Sequence, residues 1–413
     1  NNEEEESKNQ YEAFKHMLRF VLSVKNISMN YSKSRGTFLP GYMNIPHFLG
    51  QEWSDISPGL PFVFGSQKDI RNDAVVNGWL TTNPALNTLY KTNESVNMTF
   101  RSTVEPIRKF RIELTANKTT SENNSEYFRY DEFINDFNTF NPTQTGSYSI
   151  SFISISTAFT GDDDDYSSSI FKTFQNNRFD IASRLAAENP NFNGGIVDGW
   201  PAEYDADTNF IGGYGPTSQD VLIPAFIAAY SGKNPNNASL SSFPVIPLPN
   251  WRVTYDGLIK TSFIKKRFKT FTLSHAYRSN YSISSYTTNL EYVNGNEVNL
   301  NNMSYQVEKE ISQVTINEQF SPLFKLDMVW KNSLLNKWEL KRSRILALSL
   351  SNNQLTETTS SEYVIGTGYR IKDLEFKFIS SRRGKKMKSD LDLKFDFNLR
   401  NSKTVIRKVV EDV

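Results

Sequence analysis

Between Asp390 and Arg400 the chain alternates without a break. Leu391, Leu393, Phe395, Phe397 and Leu399 occupy one set of positions, and Asp390, Asp392, Lys394, Asp396, Asn398 and Arg400 the other. Successive side chains of a strand point to opposite faces, so this segment is a strand with one apolar and one fully polar face. It is longer than the ~5–6 residues of an ordinary strand, and it reaches the ~9–11 tilted residues that cross a bilayer. The pattern recurs at Val96, Met98 and Phe100, and at Phe110, Ile112, Leu114 and Ala116. It appears again where Tyr363, Ile365, Thr367 and Tyr369 alternate with Gly366 and Gly368.

The connections add a second constraint. Short turns are expected at Pro106 to Lys109, Phe263 to Arg267, Ser321 to Leu323 and Asn401 to Lys403, and long connections at 34–92, 121–146, 161–250 and 281–303. Outer-membrane barrels confine short turns to one end and long loops to the other; a soluble sandwich has no such requirement. The expected fold is therefore all-β: an antiparallel transmembrane β-barrel, with residues 1–413 forming part of one large barrel. Long extracellular loops and a partly helical insertion complete it. A mean hydropathy of −0.51 is compatible with this, since only alternate strand residues would meet lipid. The longest apolar run, Val221 to Tyr230, contains Pro224 and is far short of the ~20 residues of a spanning helix.

Strands near 19–33, 94–105 and 110–120, and again near 268–280, 304–320, 323–334, 342–352, 362–372, 389–399 and 404–412, alternate in direction without conflict. Between them the stretch 121–250 must hold an even number of crossings, yet only 147–159 reads as a strand. In the insertion 161–250, Phe171, Phe174, Arg178, Ile181 and Leu185 recur at helical spacing up to Pro190, and Gly194-Gly195 and Gly212-Gly213 follow. Short helices forming a cap or plug-like element fit this region, and 34–92 is a second long loop insertion.

Little in the chain resembles catalytic equipment. There is no cysteine, and His16, His47 and His275 are far apart. No nucleophile elbow, zinc-binding HExxH or phosphate-binding loop is present. The reading is that the chain is not an enzyme and carries no cofactor or metal. A net charge of +1 argues against a nucleic-acid partner. The run Asp162 to Asp165 offers calcium-type oxygens, but adjacent carboxylates repel one another, and a solvated loop is simpler. Arg382, Arg383, Lys385 and Lys386 form a basic cluster facing outward, suited to lipopolysaccharide phosphates or to plain solvation. Lys265, Lys266 and Arg267 lie at the opposite end, and Glu3 to Glu6 read as a solvated acidic segment. With no initiating Met and no apolar leader, the chain reads as a processed protein or a piece of a longer one.

Several strings are specific enough to compare with known families. They are GTFLPGYM (36–43), LGQ (49–51), SPGLPFVFGSQ (57–67), FPVIPLPNWRVTYDGL (243–258), HAYRSNYSISSY (275–286), INEQFSPLFKLD (316–327), RSRILALSLSNNQLTE (342–357) and EYVIGTGYRIKD (362–373). Together, in this order, they resemble the later part of the SprA/Sov family, the outer-membrane translocon of the type 9 secretion system in Bacteroidetes. The resemblance implies an integral outer-membrane location and a very large barrel conducting folded cargo to the cell surface, including gliding-motility adhesins. It further implies a lateral opening engaged by a PorV-type shuttle barrel, a periplasmic plug protein, and cargo bearing a C-terminal secretion signal. Family chains are several times longer, and they continue beyond the KVVEDV at which this one stops. The motif positions Pro40, Gly41, Pro58, Gly59, Pro61, Pro249, Asn250 and Trp251 carry no assigned role. Physically, the prolines and glycines set turns, and Trp251 is placed for an interfacial ring. Other readings are a small-molecule uptake barrel or a surface adhesin built of β-sandwiches.

Overall fold

The computed structural model describes residues 23–164, 166–190, 192, 196–197, 210–295, 298–299, 304–376 and 387–409. The acidic run Glu3 to Glu6, His16, Asp165, Gly194-Gly195 and the basic cluster Arg382 to Lys386 lie outside them. Most of the described chain is one antiparallel sheet. Its strands are β1 (Val24–Phe38), β2 (Tyr90–Ile107), β3 (Phe110–Asp131), β4 (Asp136–Ser151), β5 (Asn250–Tyr255), β6 (Phe268–Thr288), β7 (Gln313–Trp330), β8 (Leu334–Ser349), β9 (Gln354–Phe376) and β10 (Met387–Lys408). The order across the sheet is β1-β2-β3-β4-β6-β7-β8-β9-β10, with β5 pairing β3 and β6 and a short strand, Lys309–Ile311, pairing β6. Strands that are neighbours in the chain are mostly neighbours in the sheet, as short hairpins require.

Two expected turns are absent. Ser321 to Leu323 lies within β7, where the register with β8 shifts between Phe320 and Phe324 and the ladder then resumes. A bulge takes up extra residues without ending a strand. Asn401 to Lys403 lies within β10, paired to Ser361, Ser360 and Thr359. The expected long loop 121–146 is instead ladder: β3 runs on to Asp131, turns, and returns as β4, with Tyr127 opposite Phe140. A short turn does follow Ile107, an unexpected one follows Trp330, and Ser262–Arg267 is a short helix.

The helical expectation at 170–187 is met by α1 (Ser169–Glu188), capped by Ser168, whose hydroxyl accepts from the Phe171 N–H at 3.4 Å. Phe171, Phe174, Arg178 and Ile181 are its buried stripe. The run Val221 to Tyr230 forms a second helix, α2 (Gln219–Ser231), buried at every one of those positions. A helix apolar all round survives only inside a core, and Pro224 is tolerated because that burial outweighs the missing N–H. Gly232, at φ 69°, closes α2 in the left-handed conformation that glycine adopts freely. No helix among the described residues is long and apolar enough to cross a membrane.

Candidate functional site

The register carries one face of the sheet across every strand. Tyr31 pairs with Met98, Met98 with Lys118, Lys118 with Ile150, Ile150 with Tyr281, and Tyr281 with Ile316. The same row continues through Leu346 and Glu357 to Val405. Residues on this face form a belt of exposed apolar side chains. It includes Ile27, Met29 and Tyr31 on β1, Phe324 on β7, Trp338 on β8, Tyr363 and Ile365 on β9, and Leu393, Phe395, Phe397 and Leu399 on β10. Phe395 is 67% exposed and Trp338 53%, values that water would penalise in a core-forming strand.

The belt does not follow the hydrogen-bonded rows. The row of Tyr31, at the belt's upper margin on β1, reaches β10 at Val405, six residues above the margin there at Leu399. The row of Met29 reaches Lys403, eight residues above Phe395. Over eight strand-to-strand steps this is a stagger of three-quarters to one residue per strand. With a rise of ~3.3 Å per residue and ~4.8 Å between strands, the strands are tilted roughly 27–35° to the belt's normal.

The opposite face is charged at the same level. Lys325 pairs with Asp327 at 2.7 Å, Lys337 with Glu339 at 2.8 Å, Lys341 with Glu362 at 2.9 Å, and Arg370 with Asp392 at 2.6 Å. Each pair has at least one partner open to solvent and contributes little stability, but together they keep this face wetted and close to neutral.

Above the belt, its own face is covered. The chain leaves the wall after Ser151 and returns at Asn250; between these points α1 and α2 pack on Tyr148, Ile150, Tyr281, Ile283, Val314, Ile316, Leu346, Leu348 and Leu355. Those are residues of the apolar face, so the insertion lies on that side of the sheet and not on the charged one. The loop 39–89 packs on the same side, through Ala74, Trp79 and Leu80 against Tyr90 and Phe128.

The missing crossing in 121–250 is explained by this excursion. β3 pairs β4 along residues 118–131 and β5 along 110–115, and β6 likewise pairs β4 above and β5 below. β4 and β5 are thus two halves of one line in the sheet, with 152–249 inserted between them. The stretch 152–159, expected as strand, instead bends away through a short turn of 3-10 helix, Ile155–Thr157.

Two side chains mend the ladders at the break. The Ser151 hydroxyl accepts from the Asn117 N–H at 2.9 Å and from Asn250 Nδ2 at 3.2 Å. Asn250 Oδ1 accepts from the Ser279 N–H at 2.7 Å. Backbone groups of β3 and β6 that would lose a partner thereby regain one. Trp251 follows, stacked on Tyr277 at 4.4 Å between ring centres. Of the motif positions singled out from sequence, Asn250 and Trp251 therefore have structural work to do, and Pro249 stands just before them. Ser151 was not legible in the sequence, since only its partner 99 residues away gives it meaning.

The excursion is locked by a buried ion pair. Glu318, fully buried, binds Arg344 at 2.9 Å and accepts from Tyr277 Oη and Ser154 Oγ, each at 2.8 Å. Arg344 donates onward to the carbonyl of Thr157 at 2.7 Å and to its hydroxyl at 3.0 Å, and Thr157 Oγ1 donates to the Tyr230 carbonyl at 2.8 Å. One charged pair on β7 and β8 thus holds both the first turn of the insertion and the end of α2. A second tie runs from Asp162 to Lys403 at 2.9 Å and Arg407 at 2.6 Å. Asp162 is accordingly not a solvated loop residue; two cations on β10 outweigh its hydration.

The other motif positions sit in the loop 39–89. Gly41, at φ 74°, accepts from Thr81 N–H at 2.9 Å, and its missing Cβ would lie 2.9 Å from Leu86. Pro40 precedes it. Gly59, at φ 94°, precedes the helical turn Leu60–Val63 that contains Pro61, and its N–H donates to Gln51 Oε1 at 3.1 Å. Pro58 follows Ser57, whose hydroxyl is 2.8 Å from Tyr42 Oη, and this joins the two halves of the loop. They are remote in sequence from the break. His47 pairs with Glu52 at 3.3 Å, and His275 Nδ1 lies 2.7 Å from the Leu323 carbonyl. Among the described residues no group of three or more His, Asp or Glu is arranged to hold a metal. No protein-family model matches the chain, and no curated protein matches it significantly.

Proposed function

We propose that this chain forms part of the wall of a large outer-membrane β-barrel, and that its charged face lines a channel through which folded proteins are exported. The observation that carries the reading is the exposed apolar belt, which crosses the strands obliquely while the face behind it is charged. A belt level with a bilayer would cross the hydrogen-bonded rows in this way, because barrel strands tilt ~35–45° from the axis. Apolar exposure on this face of β1 and of four successive strands, β7 to β10, is the reverse of what a soluble sheet tolerates. The first and last strands β1 and β10, paired on one side only among the described residues, both carry belt and polar face, as strands within a longer wall would.

In this arrangement the outer-membrane lipid, including lipopolysaccharide, meets the belt. The insertion 152–249 sits above the lipid as an external buttress, because its contacts are on the belt's side of the sheet. A pore plug would need the other side. Export specificity, a PorV-type shuttle at a lateral opening and a periplasmic plug protein belong to the same proposal and rest on the family resemblance. Conduction is passive, and the paired charges of the lumen hold water without trapping cargo of either sign.

The test uses the full-length protein in cells. Asp396→Cys, on the charged face, is labelled with a bulky thiol-reactive polymer, and Phe395→Cys on the belt is the control; residues 1–413 hold no cysteine, and any elsewhere in the full-length protein is first replaced by Ser. Labelling at Asp396→Cys should block export of signal-bearing cargo, and Phe395→Cys should stay unlabelled. Undiminished export with Asp396→Cys fully labelled would contradict the channel reading.

A further inference from the structure

The charged face is not neutral everywhere. Where β4 gives way to β5, a cavity of about 450 Å³ opens on it, lined by Arg101, Arg252 and Arg278 together with Glu113, Asn117 and Gln319. These arginines come from β2, β5 and β6. All three are exposed, and none has a hydrogen-bond or ion-pair partner among the described residues. Glu113 stands opposite Arg252 in the register, yet the two form no ion pair. The contrast with β7 to β10 is direct: there four cations on the same face each hold a carboxylate within 3 Å. Here three cations share a cavity with one carboxylate, leaving a surplus of two positive charges.

We propose that this cavity is a binding site for the acidic side chains of a polypeptide segment. Arginine presents planar, multiple donors that match carboxylates and remain charged at any relevant pH. The row that holds Arg101 passes through Thr115 and Asn250 before Arg278, so the outer two arginines are three strand spacings apart, roughly 14 Å. That span exceeds a single phosphate or carboxylate and suits successive acidic residues of an extended peptide. The amides of Asn117, on β3 between Arg101 and Arg278, and of Gln319, opposite Arg278 on β7, supply uncharged partners for peptide groups. The break itself accounts for the space: with the strand divided, the wall is thinned to side-chain bonds between Ser151 and Asn250. The site stands independently of the membrane reading, since it needs only that this face be wet.

The experiment measures anisotropy of a fluorescein-labelled ten-residue Asp/Glu-rich peptide with the purified full-length chain. An Asn/Gln copy of the peptide is the uncharged control. Binding is expected for the acidic peptide alone, weakening as salt rises. Each of Arg101→Gln, Arg252→Gln and Arg278→Gln should weaken it about tenfold, the scale of one charge-assisted contact. Lys337→Gln, which removes a paired cation on the same face, should leave it within about twofold. Circular dichroism and thermal unfolding check that each variant is folded. Equal binding by wild type and the triple variant would overturn the proposal. So would an equal loss in Lys337→Gln, which would report only diffuse charge, or full displacement of the peptide by equimolar inorganic phosphate, which would report a small-anion site. Failure of the protein to enter membranes would strike the wall reading and leave this result untouched.

Discussion

The lower and upper halves of the apolar face obey the same alternation and meet different surroundings. Below, Trp338, Phe395 and Phe397 are more than half exposed. Above, Leu346, Leu348 and Ile316 on the same face are wholly buried under α1 and α2. Period-two patterning reports that a strand has two kinds of face; it is silent on what covers the apolar one. The upper half shows the covering made from the chain's own insertion, with an aromatic helix interior and a buried ion pair. The lower half has no protein cover among the described residues, which is why lipid is the proposed solvent there.

The largest effect that would break this contrast is at the ion pair. Glu318→Ala or Arg344→Ala leaves a buried charge unpaired and should cost ~3–5 kcal/mol; the insertion would undock, seen as rapid limited proteolysis between 160 and 250 with the sheet intact. Replacing both by Met should recover most of that loss, and a double variant as weak as the singles would count against the latch. Next, Phe226→Ala in the fully buried α2 should destabilise by ~3–5 kcal/mol. Phe395→Ala, on the belt, should change thermal unfolding in detergent by less than ~1 kcal/mol. Comparable losses at the two sites would erase the distinction between the halves.

A smaller effect is pH-dependent. Asp220, in the first turn of α2, has a carboxyl oxygen buried without a partner among the described residues, and burial pushes its pKa up to about 7. The folded form holds the proton more tightly than the unfolded chain, so stability is full at acid pH. It falls as pH rises from about 4 toward 7, and is flat above. Each unit is ~1.4 kcal/mol; because the residue as a whole is partly accessible, the total is discounted to ~2 kcal/mol. Melting of the insertion at pH 5 and pH 8 should differ accordingly, and Asp220→Asn should abolish the difference; a variant that keeps it would remove Asp220 from the account. An effect of similar size is expected of Asn250→Ala, which deletes two side-chain bonds at the break and should cost ~1–3 kcal/mol. An unaltered stability would mean that water mends the ladder unaided.

The strands of the belt were readable because one face there is obligatorily apolar. Outside the belt and the patch that α1 and α2 cover, neither face is under that demand. TTSENNSEYFRYD, which completes β3, and Asn401-Ser402-Lys403 in β10 look like loop, although their backbone ladders continue. Hydrogen bonding is blind to side-chain polarity, so composition failed where pairing did not. The helix at 169–188 was legible from its spacing, whereas α2 carries no amphipathic period because every face is buried. The break was visible only as a crossing that would not count. Its cause, a strand completed by a segment about a hundred residues later, is tertiary. The unpaired arginines of β2, β5 and β6 are likewise scattered in sequence, and only the register collects them.

The central claim is that the belt meets lipid while the opposite face meets water. Nitroxide labels placed singly at 390–400 in the full-length protein, reconstituted in bilayers, test it most directly; residues 1–413 hold no native cysteine, and any elsewhere in the protein is first replaced by Ser. Collision with oxygen should peak at 391, 393, 395, 397 and 399, and collision with a water-soluble nickel complex at the positions between them. Nickel accessibility at every position, with no period of two, would contradict the account.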